Sequence, residues 1–198
     1  VKSIARAFDP NVFASCSRDR SVKLWRTSAG TAPPVCTSTL HPRCSYPLNA
    51  VACATGGLVA VGGRDQTLYV WNCGGGASFS PPAAPSASAN LPHNIIHGLV
   101  WPGADTNPSS LLWQAGEDLA LRGWDVRLPI GAGSRPVLAV SSEFRSGDHQ
   151  PVALAATADA PGAAGVLLAT GHKGDAGCGT EVALWDPRRG TRSLVARA

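Results

Sequence analysis

An aspartate stands six residues before a tryptophan at three places in this chain. The stretches are SRDRSVKLW (17–25), GRDQTLYVW (63–71) and GEDLALRGW (116–124). In the first, apolar and polar residues alternate up to the tryptophan, which is typical of a β-strand. Three copies with one internal spacing are a repeat, and a repeat restricts the fold to architectures built from stacked, similar units.

A fourth tryptophan extends the repeat to the end of the chain. Trp25, Trp71, Trp124 and Trp185 are separated by 46, 53 and 61 residues. Propeller blades recur every 40 to 45 residues or so, and loop insertions lengthen that period. The surplus falls in turn-rich segments, which we interpret as surface loops: GGGASFSPPAAPSASANLP (74–92), LPIGAGSRP (128–136) and TADAPGAAG (157–165).

The pattern predicts four short strands in each of four units, which span approximately residues 1–43, 44–92, 93–143 and 144–198. In the second unit the fourth strand is expected somewhere inside the segment 74–92. A single four-stranded sheet of this kind cannot cover both of its apolar faces. The units are therefore expected to stack around an axis.

Two tetrapeptides give the repeat a family resemblance. LWDP (184–187) and GWDV (123–126) carry a tryptophan–aspartate pair, whereas LWRT (24–27) and VWNC (70–73) depart from it at the second position. The chain resembles the WD-repeat β-propellers. The resemblance implies an all-β fold, with four consecutive four-stranded blades forming part of a seven-bladed ring.

The resemblance also implies a hydrogen-bond network within each blade. In the family, the turn aspartate accepts bonds from turn amides and a histidine, the histidine bonds a serine or threonine, and that hydroxyl bonds the tryptophan indole. A buried carboxylate is tolerable only when such partners are present. The matching positions here are Ser15, Asp19 and Trp25; Asp65 and Trp71; Asp118 and Trp124; and Thr170 and Trp185.

Departures from the pattern make this network incomplete. Val61 and Gln114 occupy the serine position in the second and third units. In the fourth unit, Thr170 lies fifteen residues before Trp185, which is five more than in the first unit. A turn role for Asp175 is therefore open. The glycine–histidine pair that usually opens a repeat is absent, and His41, His93 and His149 are the candidate substitutes.

The fourth unit carries a more specific resemblance. GHKGDAGCGTEVALWDPRRGTR (171–192) is similar to the corresponding repeat of a small family of ciliary WD-repeat proteins. That resemblance implies a cytoplasmic or ciliary adaptor that regulates intraflagellar transport. The implied partners are ciliary transport factors or GTPase-activating proteins of the ELMO-domain kind.

Residues typical of other functions are not found. The sequence has no GxSxG, HExxH or P-loop motif and no zinc-type spacing of its six cysteines, so we expect no catalytic residues, metal or cofactor. Asp148–His149 and His172–Lys173 are interpreted as loop residues. The net charge of +4 is dispersed, which disfavours nucleic-acid binding, and no apolar run is long enough to insert into a membrane.

The candidate binding residues come from the turn that carries the aspartate. If the aspartate points inward, the residue before it projects onto one rim of the propeller. Those residues are Arg18, Arg64 and Glu117. Arginine is favoured at interface centres because its guanidinium makes bidentate bonds and stacks, so Arg18 and Arg64 are the main partner-contact candidates. The alternative is that they are solvated turn residues.

The sequence therefore predicts a non-catalytic, intracellular scaffold for other proteins. The chain opens on valine and contains no methionine, from which we expect a fragment of a longer protein. Two rival functions remain open: a structural subunit of the axoneme, and a substrate receptor of a ubiquitin-ligase complex.

Overall fold

The structure is a computed structural model. It describes residues 1–7, 9–28, 32–54, 56–74, 81–102, 111–118, 120–131, 133–140, 151–157, 167–172, 181–186 and 191–197. All regular structure in these residues is β-strand, as predicted. None of the described segments forms a helix of the length and hydropathy that crossing a bilayer requires.

Sixteen strands form four sheets in chain order. The first sheet contains β1 (Ser3–Arg6), β2 (Val12–Cys16), β3 (Val22–Arg26) and β4 (Val35–Leu40). The second contains β5 (Leu48–Ala54), β6 (Leu58–Gly63), β7 (Thr67–Asn72) and β8 (Ala87–Asn90). The third contains β9 (Ile96–Val100), β10 (Leu111–Gly116), β11 (Leu121–Asp125) and β12 (Leu138–Val140). The fourth contains β13 (Pro151–Ala156), β14 (Leu168–His172), β15 (Glu181–Asp186) and β16 (Thr191–Arg197).

Every sheet is an antiparallel meander, in which each strand pairs with the next one along the chain. This confirms the prediction of four-stranded units. The strand expected somewhere in the Gly/Pro-rich segment 74–92 is β8, which pairs with β7 from Thr67↔Asn90 to Val70↔Ala87.

Alternation along the strands gives each sheet two apolar faces. In β6, Val59 and Val61 pack toward the first sheet while Ala60 packs toward the third. In β7, Trp71 packs toward the first sheet and Val70 packs toward the third. Successive side chains of a strand point to opposite faces, so a sheet with apolar residues at both parities must lie between two neighbours.

Three hydrophobic clusters fill the three spaces between the four sheets. The tryptophan on the third strand of sheets two, three and four lies in the cluster shared with the preceding sheet. Trp71 is 0% exposed, Trp124 is 2% exposed and Trp185 is 1% exposed. These side chains are the largest in the core, and they join one sheet to the next.

The first strand of each sheet lies beside the first strand of the next, β1 against β5, β5 against β9, and β9 against β13. At the β9–β13 contact the backbones come very close. A Cβ atom at Gly98 would lie 2.6 Å from the Cβ of Leu154, closer than real side chains approach. The absence of a side chain at Gly98 therefore allows the third and fourth sheets to pack.

The described residues form part of a propeller rather than a closed ring of four. No strand of the first sheet makes a comparable contact with the fourth sheet in the part of the chain that the structure describes. Trp25, unlike its three counterparts, is partly exposed, with Phe13 stacked on it at 6.1 Å and Lys23 Nζ 5.9 Å from its ring centre. A total of seven blades stays a prediction.

Each buried indole N–H needs an acceptor, and the second strand of the same sheet supplies it in three of the four sheets. Trp25 Nε1 donates to Ser15 Oγ at 2.9 Å, Trp124 Nε1 to Gln114 Oε1 at 3.0 Å, and Trp185 Nε1 to Thr170 Oγ1 at 2.8 Å. In the second sheet the equivalent residue is Val61, and Trp71 Nε1 has no partner. The second sheet therefore carries an unsatisfied buried donor.

Supplying the missing acceptor should stabilise the protein. We predict that Val61→Thr raises the free energy of unfolding by about 1 kcal/mol, because an unsatisfied buried donor costs about 1–3 kcal/mol. Chemical denaturation of the chain measures the change. Val59→Thr is the matched control: it buries a hydroxyl on the same strand and face, directly opposite Trp71, and should destabilise. Equal destabilisation by both variants would show that the Trp71 donor is not the limiting defect.

Candidate functional site

The turns between the second and third strands carry the residues that the sequence singled out. In the first sheet, the Arg20 amide donates to the Ser17 carbonyl at 3.2 Å; in the second, the Gln66 amide donates to the Gly63 carbonyl at 3.3 Å. Arg20 and Gln66 have φ of 68° and 62°, the left-handed conformation that closes such a turn. The residues at the second turn position, Arg18 and Arg64, are exposed.

The expected inward placement of the aspartate is found only in part. Asp19 and Asp118 are exposed. Asp19 accepts bonds from the amide and hydroxyl of Ser21, at 2.9 and 2.6 Å, and Asp118 forms an ion pair with Arg122. Residues that follow each aspartate thus satisfy both carboxylates locally, and no histidine among the described residues is bonded to either.

Asp65 is the turn aspartate that does point inward. It is half-buried, and the Tyr69 hydroxyl donates to its Oδ2 at 2.5 Å. Burial raises the pKa of the Asp65 carboxyl, while the bond from Tyr69 acts in the opposite direction. Tyr69 therefore takes the supporting role that the family resemblance assigns to a histidine.

Arg18 and Arg64 belong to different sheets, and the connection between those sheets brings them together. The Leu48 amide donates to the Ser17 carbonyl at 3.3 Å, and the Arg64 amide donates to the Pro47 carbonyl at 3.1 Å. Because the consecutive residues Pro47 and Leu48 each hold one of the two turns, the backbones of Arg18 and Arg64 lie within about 12 Å of each other. A Cβ at Gly63 would lie 2.3 Å from the Pro47 carbonyl oxygen, so the contact requires glycine there.

Further cations lie at the same place. Arg20 closes the first turn, and Arg43 lies in the segment 41–47 that joins the two sheets; both are exposed. Burial raises the pKa of the Cys44 thiol, Asp65 adds to this shift and Arg20 opposes it, so the segment 41–47 lies near both turns. We call the surface formed by Arg18, Arg20, Arg43 and Arg64, together with the exposed ring of Tyr46, the arginine rim.

The third candidate, Glu117, lies on the neighbouring turn and is partly buried. Its amide donates to the Ile95 carbonyl at 3.0 Å. It faces His97 of β9, whose Nε2 is buried and has no hydrogen-bond partner. Burial lowers the pKa of His97; Glu117 opposes the shift and Arg64 adds to it. Arg64 and Glu117 thus both act on one half-buried imidazole.

The histidines proposed as substitutes are placed elsewhere. Neither the His41 nor the His93 ring hydrogen-bonds within the described residues, and His149 lies outside those residues, as does Asp175. The histidine that joins a network is His172, which the sequence assigned to a loop. It is the last residue of β14, is buried, and its Nε2 lies 2.7 Å from Thr170 Oγ1. Its position two residues after Thr170, on the same strand face, was the available signal.

No group of three metal-ligating side chains occurs among the described residues. Burial raises the pKa of Cys53 to about 12 and those of Cys16 and Cys73 to about 11, so these thiols stay protonated at neutral pH. A groove of about 230 Å³ between the first strands is lined by Lys2, Asn49 and His97 among others.

Four stacked, four-stranded antiparallel sheets, three of them joined to the preceding sheet by a buried tryptophan, define a repeat protein of the β-propeller class. The family model for the WD domain, G-beta repeat, matches residues 1–26 and 34–72, within the first two sheets. The matches and the fold together support a WD-repeat family for this chain. No curated protein matches it.

The burial of His97 has a consequence for pH dependence. Its lowered pKa means that the unfolded chain binds a proton at higher pH than the folded chain does. The stability contributed by neutral His97 is therefore present above 6.5, its ordinary pKa, and is lost as pH falls through the lowered value.

We predict that lowering the pH from about 7.5 to about 5 reduces the free energy of unfolding less in the His97→Gln variant than in the unchanged chain. Urea unfolding at the two pH values measures the difference. His41→Gln, an exposed change, is the control and should keep the original slope. A slope that is the same in all three proteins would contradict the assignment.

Proposed function

We propose that this protein is a non-catalytic scaffold that binds other proteins through the arginine rim. WD-repeat domains generally bind proteins, and the family matches support that class here. The observation that carries the choice of surface is the backbone contact of Ser17 with Leu48 and of Arg64 with Pro47, which unites two candidates from separate repeats.

The composition of the rim supports a role in protein binding. Arginine and tyrosine are enriched at interface centres, where each offers a large contact area with polar groups at its edge. Arg18, Arg64 and Tyr46 are exposed and stand on turns anchored to the core, so their backbones are held in place before any partner arrives. Preorganised contacts lose less entropy on binding.

The more specific proposal is a ciliary adaptor that regulates intraflagellar transport. It rests on the resemblance of residues 171–192 to the corresponding repeat of WD repeat-containing protein thirty-one, a ciliary WD-repeat protein. The partners proposed on that basis are ciliary transport factors or GTPase-activating proteins, and the proposed location is cytoplasm or cilium. A structural axonemal subunit and a ubiquitin-ligase substrate receptor are the two alternatives.

Charge reversal at the rim tests the proposal. We predict that Arg18→Glu with Arg64→Glu weakens the affinity for native partners about thirtyfold or more, and so reduces their recovery. The loss of an arginine anchor and the new like-charge repulsion together cost more than about 2 kcal/mol of binding free energy. The measurement is quantitative affinity capture from ciliated cells, with circular dichroism to verify folding.

The control carries the same change in net charge at a distant loop. Arg127→Glu with Arg135→Glu alters the connection between β11 and β12, where both side chains are exposed. This variant should retain its partners. Unchanged recovery by a folded Arg18/Arg64 variant would exclude the rim as the docking surface. Recovery of tubulin or of ligase adaptors in place of transport factors would favour one of the two alternatives.

A further inference from the structure

In the part of the chain that the structure describes, the arginines of the rim lack the ion pairs that three other arginines make. Arg26, Arg122 and Arg127 pair with Asp9, Asp118 and Asp125 respectively. Within the described residues, none of the four rim arginines has a carboxylate at ion-pair distance or another hydrogen-bond partner for its guanidinium. The rim therefore presents four exposed guanidinium groups whose donors point to solvent.

The two carboxylates on the rim's own turns are held by other groups. Asp19 accepts bonds from Ser21, which lower the pKa of its carboxyl and keep it ionised. Asp65 is bonded by the Tyr69 hydroxyl and the Thr67 amide. With four guanidinium groups against these two acids and Glu117 on the neighbouring turn, the surface carries a net positive charge.

The surface is also continuous and rigidly based. Two backbone hydrogen bonds hold the turns to the chain that joins the sheets. The Leu48 amide donates to the Ser17 carbonyl, and the Arg64 amide donates to the Pro47 carbonyl. Cys44, next to Arg43, packs against the core cluster between the first two sheets. Tyr46 is 57% exposed beside these cations. A partner would meet a fixed aromatic ring among several unpaired guanidinium groups.

We propose that the arginine rim binds an acidic segment of a partner polypeptide, in which spaced Asp and Glu side chains form bidentate bonds with the rim arginines. Carboxylates match the planar fork of a guanidinium, and these charge-assisted bonds are stronger than neutral ones. This inference rests on the proposed function, since it assigns the partner chemistry of the same surface.

A peptide fits this surface better than a nucleic acid does. The ionised Asp19 lies between Arg18 and Arg20 in the chain, where it would repel an unbroken line of phosphates. A polypeptide can place its acids opposite the arginines and a neutral residue opposite Asp19. Nucleic-acid surfaces moreover gather cations along a stripe, whereas this one is confined to two turns and one connection.

A direct binding measurement tests the proposal on the whole chain. The probe is a fluorescein-labelled peptide of alternating Glu and Gly, about ten residues long, which spans about 33 Å when extended. Fluorescence anisotropy should show saturable binding that weakens as salt rises toward about 0.15 M, where exposed charges are screened beyond about 8 Å. The Gln/Gly peptide of equal length should not bind in the same range.

The variants avoid the residues used for the capture experiment. Arg20→Ser with Arg43→Ser should weaken binding of the Glu/Gly peptide about tenfold or more, because two of four cations are lost. Arg127→Ser with Arg135→Ser is the charge-matched control and should bind like the unchanged chain. Equal weakening by both variants, or equal binding of the Gln/Gly peptide, would overturn the proposal.

Three further outcomes are informative, and the last two separate this inference from the proposed function. Tighter binding of single-stranded DNA than of the acidic peptide would overturn the partner class. If the acidic peptide does not bind while the Arg18/Arg64 variant still loses native partners, the scaffold function stands and the acidic chemistry is wrong. If the peptide binds as described while native capture is unchanged, the acidic chemistry stands and the proposed docking surface for native partners is wrong.

Discussion

The burial of one tryptophan from each of the second, third and fourth sheets against the preceding sheet is the interaction on which the rest of the structure depends. A large apolar side chain contributes about 1.5–3 kcal/mol when fully buried, but an indole also brings an N–H that must be satisfied. Ser15, Gln114 and Thr170 meet this need with three different acceptors at the same strand position. The repeat therefore conserves a geometry, a donor on the third strand opposite an acceptor on the second, rather than one residue type. The second sheet departs from this geometry, since Trp71 is buried with no acceptor among the described residues.

Much of the fold could be predicted because strand formation here is a local property. Short runs of mainly apolar residues, bounded by turn residues, define β5, β6 and β7 at the residues where the structure has them. The internal network could not be predicted in the same way. Asp19 turns outward because Ser21 satisfies it, and Asp65 turns inward because Tyr69 reaches it. Each outcome depends on which side chain after the aspartate can reach its carboxylate. The spacing of aspartate and tryptophan does not contain that detail.

The candidate site was likewise predictable only in those features that lie within one repeat. Arg18 and Arg64 follow from their place before the turn aspartate, a feature internal to each repeat. That they lie together, and that Arg43 and Tyr46 lie with them, depends on the segment 41–47 packing between two sheets. Glu117 occupies the equivalent place in the third repeat but is partly buried facing His97, so equivalence in sequence does not give equivalence in exposure. Surfaces assembled across repeats are tertiary features, and one repeat taken alone does not reveal them.

The arginine rim is built across the joint between the first and second sheets, and this location couples recognition to the integrity of the stack. The hydrogen bond from Leu48 to Ser17 connects the sheets at the point where the rim is formed. A ligand that contacts Arg18 on one side and Arg64 on the other is complementary only to the joined arrangement. Any ligand that prefers the native arrangement stabilises it in proportion to the logarithm of its concentration relative to its Kd. A bound partner would thus act as a clamp on the pair of sheets, and separation of the two would release it.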